Sequence, residues 1–175
     1  MSNDLFNCIE NARSVRSFKN EMVPLELLEK VLYAATMAPS AGNLQPWFFY
    51  VVTDKNIKQK LEDASNQQEQ IAAAPCVIAV MADTGKANTK YQERGAQLYC
   101  IQDTAAAIQN MLLAAEALKL DTCWGGAFDE IAVQTILEVP EHFRAVAMIC
   151  IGYSDEVKDH NKKRLSVKEV TKYLS

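Results

Sequence analysis

"APSAGNLQPWFFYVV" (residues 38–52) joins two different kinds of sequence. Its second half, Trp47 to Val52, is an unbroken bulky run with the aromatic and β-branched content of a strand. Its first half carries Pro39, Gly42 and Pro46, which fix a non-repetitive backbone, and Ser40, Asn43 and Gln45, which offer hydroxyl and amide groups. A plain helix-to-strand connection accounts for Gly42 and Pro46. It does not account for three hydrogen-bonding side chains between residues 40 and 45. Amides that both donate and accept suit the edge of a flat heterocycle such as a pyrimidine-dione.

Outward from this stretch, helical and strand patterns alternate. Upstream, "VPLELLEKVLYAATMAP" predicts a helix: Pro24 suits its first turn, Leu27, Leu28, Val31, Leu32 and Ala35 form a stripe, and Pro39 ends it. Before it, "NDLFNCIENARS" sets Leu5, Ile9 and Ala12 at helical spacing. Downstream, "NIKQKLEDASNQQEQIAAA" reads as one or two polar helices and "PCVIAVMAD" as a strand buried on both faces. The longest periodic segment runs from about Tyr91 to Leu120 and would span roughly 45 Å if helical throughout. Its centre, "TAAAIQNMLLAAEAL", is alanine-rich and apolar on most sides, as fits either a central core helix or a subunit interface. "DTCWGGAFDE" reads as a glycine turn, "EIAVQTILEV" as a short amphipathic helix and "RAVAMICIGYS" as another strand, before a polar, basic tail. With three or four strands among helices and no repeat or linker, the class is α+β or α/β in one domain, residues 1–175.

The totals narrow the function. A net charge of −4 speaks against a nucleic-acid binder, which usually presents a basic face. Five widely spaced cysteines without a C-x-x-C point to a reduced, cytoplasmic protein, and Cys76 and Cys150 lie in apolar runs where a thiol acts as a small hydrophobe. The N-terminus has no signal-peptide pattern. The longest uncharged apolar segment, Thr104 to Ala115, is shorter than the roughly 20 residues a bilayer requires, so no membrane span is expected.

Several familiar chemistries are missing. No G-x-G-x-x-G follows a strand, Gly85-Lys86 lacks the rest of a P-loop, and no G-x-S-x-G occurs. The two histidines, His142 and His160, have no partner at metal-ligand spacing. Basic residues are better placed. "NARSVRSF" sets Arg13 and Arg16 three apart around Ser14, and "NKKRLS" sets Lys162 and Arg164 two apart. Guanidinium forks match phosphate oxygens, although either pair alone also reads as a solvated surface cluster. "CWGGAF" adds Trp124 and two glycines, a combination that suits a core aromatic before a turn or a backbone close to a flat ring.

Taken together, these segments resemble the FMN-dependent nitroreductase family. "RSVRSF" is similar to its phosphate-binding R-S-x-R-x-F signature, and residues 38–52 to its P-S-x-x-N-x-Q-P-W-x-F loop and strand. "QDTAAAIQNMLLAAEALKLDTCWGGAFDE" resembles its central helix and flavin-facing turn, and "KKRLSVKEV" its C-terminal basic segment. The resemblance implies an α+β nitroreductase-like fold: a central, mostly antiparallel sheet flanked by helices, with a long central helix at a homodimer interface that holds two FMN. It implies that Arg13, Ser14 and Arg16 hold the ribityl phosphate and the ring's polar edge, and that Lys162 and Arg164 touch the phosphate. Pro39, Ser40, Ala41 and Asn43 match the loop given to the partner's flavin. Trp124, Gly125, Gly126 and Ala127 fall where backbone passes the flavin N5 region, and Gln67 and Gln70 at ring contacts.

The implied activity is ping-pong hydride transfer from NADH or NADPH through flavin N5 to a planar acceptor such as a nitroaromatic or quinone. The cofactor carries the chemistry, so no catalytic side chain and no metal are expected, nor any nucleic-acid or membrane partner. Three departures stand out. Ala12 replaces a basic residue, Gly126 replaces a glutamate of larger members, and only "TGKANTK" stands where they insert pocket helices, which implies a more open flavin face. The competing readings are a non-catalytic FMN storage or sensor protein, and an interaction protein built on its alanine-rich helix.

Overall fold

The computed structural model describes residues 3–161 and 163–174. Its centre is a four-stranded antiparallel sheet in the order β1-β2-β4-β3, formed by Trp47–Val52, Cys76–Asp83, Asp121–Gly125 and Phe143–Gly152 in chain order. The two middle strands, β2 and β4, are the continuous apolar runs of the sequence. Both are covered on both faces, and their alternate side chains feed two separate cores.

On one face, Ile78, Val80, Ile149 and Ile151 pack against Leu28, Val31 and Ala35 of helix α2 (Leu25–Thr36) and against Ala107, Ile108, Met111 and Ala115 of α6 (Cys100–Ala117). On the other, Val77, Ala79, Met81, Met148 and Cys150 meet Leu61 of α3 (Lys55–Asp63), Ile71 of α4 (Gln70–Ala73) and Val133 of α7 (Glu130–Ile136). Burial pushes the Cys76 thiol up to about 11 and the Cys150 thiol upward as well, so both stay protonated and serve as small apolar groups. Helix α1 (Asn3–Asn11) lies against α6. No helix among the described residues is long and apolar enough to cross a membrane.

Two elements differ from the sequence expectation. The segment from Tyr91 is not one straight helix. A further helix, α5 (Thr84–Arg94), begins where Asp83 accepts from the Lys86 N–H, and the chain bends at Gln92 (φ 51°, ψ −145°). A wide helical turn, Gly95–Tyr99, then leads into α6. At the bend Gly95 lies so close to the Ala87 carbonyl that an added Cβ would collide with it. The bend falls in the polar stretch "YQERG", where Gly95 is the local signal of a break in the helix. The second difference is β3. Asp121 to Gly125 reads as part of a glycine turn, yet it pairs with Met148 to Gly152 as an edge strand, and the turn proper starts at Gly126. Thr122 and Cys123 are both buried there, on opposite faces, and five residues are too few to show alternation above the glycine signal.

Candidate functional site

A small pocket of about 200 Å³ opens at the β3 edge of the sheet. Three distant parts of the chain meet there. After α1 the chain runs parallel to β3, with Ser14 bridged to Thr122 and the Val15 N–H donating to the Thr122 carbonyl at 3.0 Å. Val15 is fully buried, so its side chain anchors the segment and aims its neighbours Arg13 and Ser14 into the pocket beside Thr122 and Trp124. Helix α6 adds Gln109 and Leu112, and the C-terminal arm adds Arg164.

Arg13 defines the electrostatics. Its Nη1 donates to the Ala12 carbonyl at 2.7 Å, while its Nε is buried without a hydrogen-bond partner among the described residues. A buried guanidinium donor without an acceptor is costly, and an anion in the pocket would satisfy it. Arg164 approaches the same volume from the other end of the chain. Two guanidinium groups with the hydroxyls of Ser14 and Thr122 form a donor set suited to phosphate. At about 200 Å³ the pocket has room for a phosphate group.

The loop of residues 39–45 lies elsewhere. Asp103 of α6, 7% exposed, accepts from the Ala41 N–H at 3.0 Å and fixes the loop to the helix. Burial raises the Asp103 pKa, and the Ala41 N–H partly opposes this. Gly42 (φ 57°), Asn43 (φ 55°) and Gln45 (φ 51°) all adopt left-handed backbone. The loop holds that conformation with its own groups: Ser40 Oγ accepts from the Gln45 N–H at 2.9 Å and Asn43 Oδ1 from Gln45 Nε2 at 3.2 Å. Ser40 and Asn43 each use one acceptor within the loop, and Gln45 uses a side-chain donor.

A third group surrounds the turn after β3. Gln68 Nε2 donates to the Ala127 carbonyl at 2.6 Å, and Gln70 Nε2 donates to Gln68 Oε1 at 3.1 Å. Gly126 borders a separate hollow of about 370 Å³ whose walls include the Arg144–Glu130 ion pair.

The structure therefore brings Arg13, Ser14, Trp124 and Arg164 together. It places Gln70, Gly125, Gly126 and Ala127 around the neighbouring turn, with the exposed Gln67 preceding Gln68 in the chain. It holds Pro39, Ser40, Ala41 and Asn43 apart from both. Arg16 does not line the pocket; its main chain is engaged by Glu156. Lys162 lies outside the described residues. Sequence reasoning missed Gln109, Thr122 and Gln68. Gln109 had a signal, an amide within an apolar helix; Thr122 and Gln68 had none. Among the described residues no His, Cys, Asp and Glu cluster could hold a metal ion.

A β1-β2-β4-β3 sheet with the long α6 across one face defines an α+β class shared with known proteins. The model of the nitroreductase family matches residues 9–72 and 64–153. An Archaeoglobus fulgidus protein provisionally named NADH dehydrogenase/NAD(P)H nitroreductase is 33% identical over 155 residues, 86% of each chain. A Thermus thermophilus protein named NADH dehydrogenase is 33% identical over 171 residues, 82% of this chain and 83% of that one. The solved NADPH:FMN oxidoreductase of Vibrio harveyi, complexed with NAD+, shares the fold at a TM-score of 0.89 and 23% identity, over 99% of this chain and 78% of that one. The chain belongs to the nitroreductase family, and by that membership it is an oxidoreductase.

Proposed function

We propose that the protein is an FMN-dependent NAD(P)H oxidoreductase that acts as a homodimer on planar acceptors such as nitroaromatics or quinones. The observation that carries this reading is the convergence of Arg13 and Arg164 on one pocket, with the Arg13 Nε buried and without an acceptor among the described residues. The names of the similar proteins agree with it. Bound FMN would supply hydride acceptance and donation at N5, for which no side chain of the chain substitutes. The chain's own part is to hold and orient. Arg13, Ser14 and Arg164 would hold the phosphate, and Trp124 and the backbone of residues 125–127, fixed by Gln68, would support the ring.

What one chain leaves open supports the homodimer. The 39–45 loop meets nothing of the pocket in its own chain. Beside it, an apolar groove of about 480 Å³ between α1, α2 and α6 is lined by Leu5, Tyr33, Met37 and Leu113, among others. A second copy seated on that groove would bring its loop toward this pocket. Purified protein should be yellow, bind added FMN, and lose the flavin colour when NADH or NADPH is added without oxygen. Colourless protein that ignores FMN would sink the reading. Yellow protein that neither nucleotide bleaches would favour a storage or sensor role.

A further inference from the structure

The C-terminal arm that delivers Arg164 is fastened to the fold by groups that touch neither pocket nor ligand. The Lys19 N–H donates to the Tyr153 carbonyl at 2.8 Å, and Lys19 Nζ pairs with Asp155 at 2.7 Å. Ser154 Oγ donates to the Ser17 carbonyl at 2.6 Å, and the Ser154 N–H to Asp121 at 2.9 Å. Glu156 then closes on the first basic segment: its Oε2 accepts from the N–H groups of both Arg16 and Ser17, at 2.7 and 2.9 Å. Two residues on, Lys158 Nζ sits between Glu116 at the end of α6 and Asp121 at the start of β3, at 2.7 and 3.0 Å. All three of these side chains are largely shielded, at 22%, 16% and 15% exposure.

These contacts link the two walls of the pocket. Glu156 holds the segment that carries Arg13 and Ser14, and Lys158 fixes the arm six residues before Arg164. A guanidinium recognises phosphate by direction as well as charge, so its worth depends on how well the backbone behind it is held. We infer that Glu156 and Lys158 are positioning residues that set how strongly the pocket prefers a phosphorylated flavin to an unphosphorylated one, although neither reaches the ligand. This rests on the phosphate assignment made above.

The two residues differ in what else they do. Glu156 is exposed, and its removal returns two main-chain N–H groups to water with little loss of stability. Loss of Lys158 leaves two carboxylates facing each other in a half-buried place, so that variant also loses stability. The decisive experiment is a paired titration of apoprotein with FMN and with riboflavin, alongside thermal melting. Glu156→Ala should weaken FMN by about five- to tenfold, the scale of one or two hydrogen bonds, while riboflavin changes less than twofold and the melting temperature hardly moves. Glu156→Gln, which keeps one acceptor oxygen, should recover part of the difference. Lys158→Met should lose FMN preference together with stability, and Lys158→Arg should restore both. An unchanged FMN-to-riboflavin ratio in Glu156→Ala overturns the inference, as does an equal loss of both ligands. Wild-type protein that binds riboflavin as well as FMN fails earlier: it removes the phosphate assignment, and the inference with it.

Discussion

The basic pocket and the 39–45 loop are both polar and both touch α6, yet they are built in opposite ways. The pocket gathers Arg13, Thr122 and Arg164 from across the sequence, and its central donor, the Arg13 Nε, has no acceptor among the described residues. The loop is local, and its side chains bond to each other. Asp103, which holds the loop, and Gln109, which lines the pocket, are six residues apart on α6, about 9 Å along the axis and on different sides of it. One region leaves a buried donor open among the described residues, and the other is already shaped. The difference teaches how each region is built: long-range packing assembles the pocket, whereas the loop is shaped by its own groups and by Asp103, and on the proposed reading it serves the partner's site.

The most damaging way to break that arrangement is to keep the two regions from meeting across subunits. Tyr33 and Met37 line the apolar groove and are 66% and 61% exposed, so a charge there should leave the monomer's fold intact. Tyr33→Glu combined with Met37→Glu should yield a folded monomer by sedimentation. Its FMN affinity should fall by about two orders of magnitude, since the partner's loop is gone. A monomer that still binds FMN at wild-type strength would assign the whole site to one chain.

A smaller effect is expected from the pocket itself. Arg13→Ala and Arg164→Ala each remove a charge-assisted contact and should raise the FMN dissociation constant by about tenfold. Flavin fluorescence titration measures this directly. Arg16→Ala is the useful contrast, because Arg16 does not line the pocket and should change the constant less than the other two do. Equal losses in all three would return Arg16 to the phosphate site.

The same contrast explains what could be read beforehand. Periodicity located α2, which buries the stripe Leu28, Val31 and Ala35, and unbroken apolar runs located β2 and β4. The bend at Gln92 escaped although Gly95 close by is a break signal; the approach of the Ala87 carbonyl, which leaves no room for a Cβ there, shows only in the fold. For the site, the spacing of Arg13 and Arg16 indicated a single anchor, yet the fold uses one for the pocket and gives the other's main chain to Glu156. That choice depends on an acidic residue 140 positions away in sequence. The loop's amides pointed to a ligand because sequence cannot show that Ser40 and Asn43 also bond to Gln45.

Asp103 offers the finest test of whether the loop is shaped in advance. Its carboxyl lies on α6 and receives the Ala41 N–H, and burial keeps its pKa above the ordinary value near 3.8. The sign follows from that direction. A carboxyl that resists ionisation more in the folded state than in the unfolded one subtracts stability once pH rises above both values, and the penalty fades as pH falls through the folded value. Asp103→Asn keeps an oxygen for the Ala41 N–H and removes the charge, so at neutral pH it should melt no lower than wild type. Any advantage should vanish near pH 3. Asp103→Ala removes the acceptor as well, leaves the Ala41 N–H unsatisfied, and should lower stability by about 1 kcal/mol. If the loop must be held in shape to serve the partner's site, Asp103→Ala should also weaken FMN a few-fold while Asp103→Asn does not. A loss of FMN affinity in Asp103→Asn equal to that in Asp103→Ala would show that the charge, not the shape of the loop, is what the site uses.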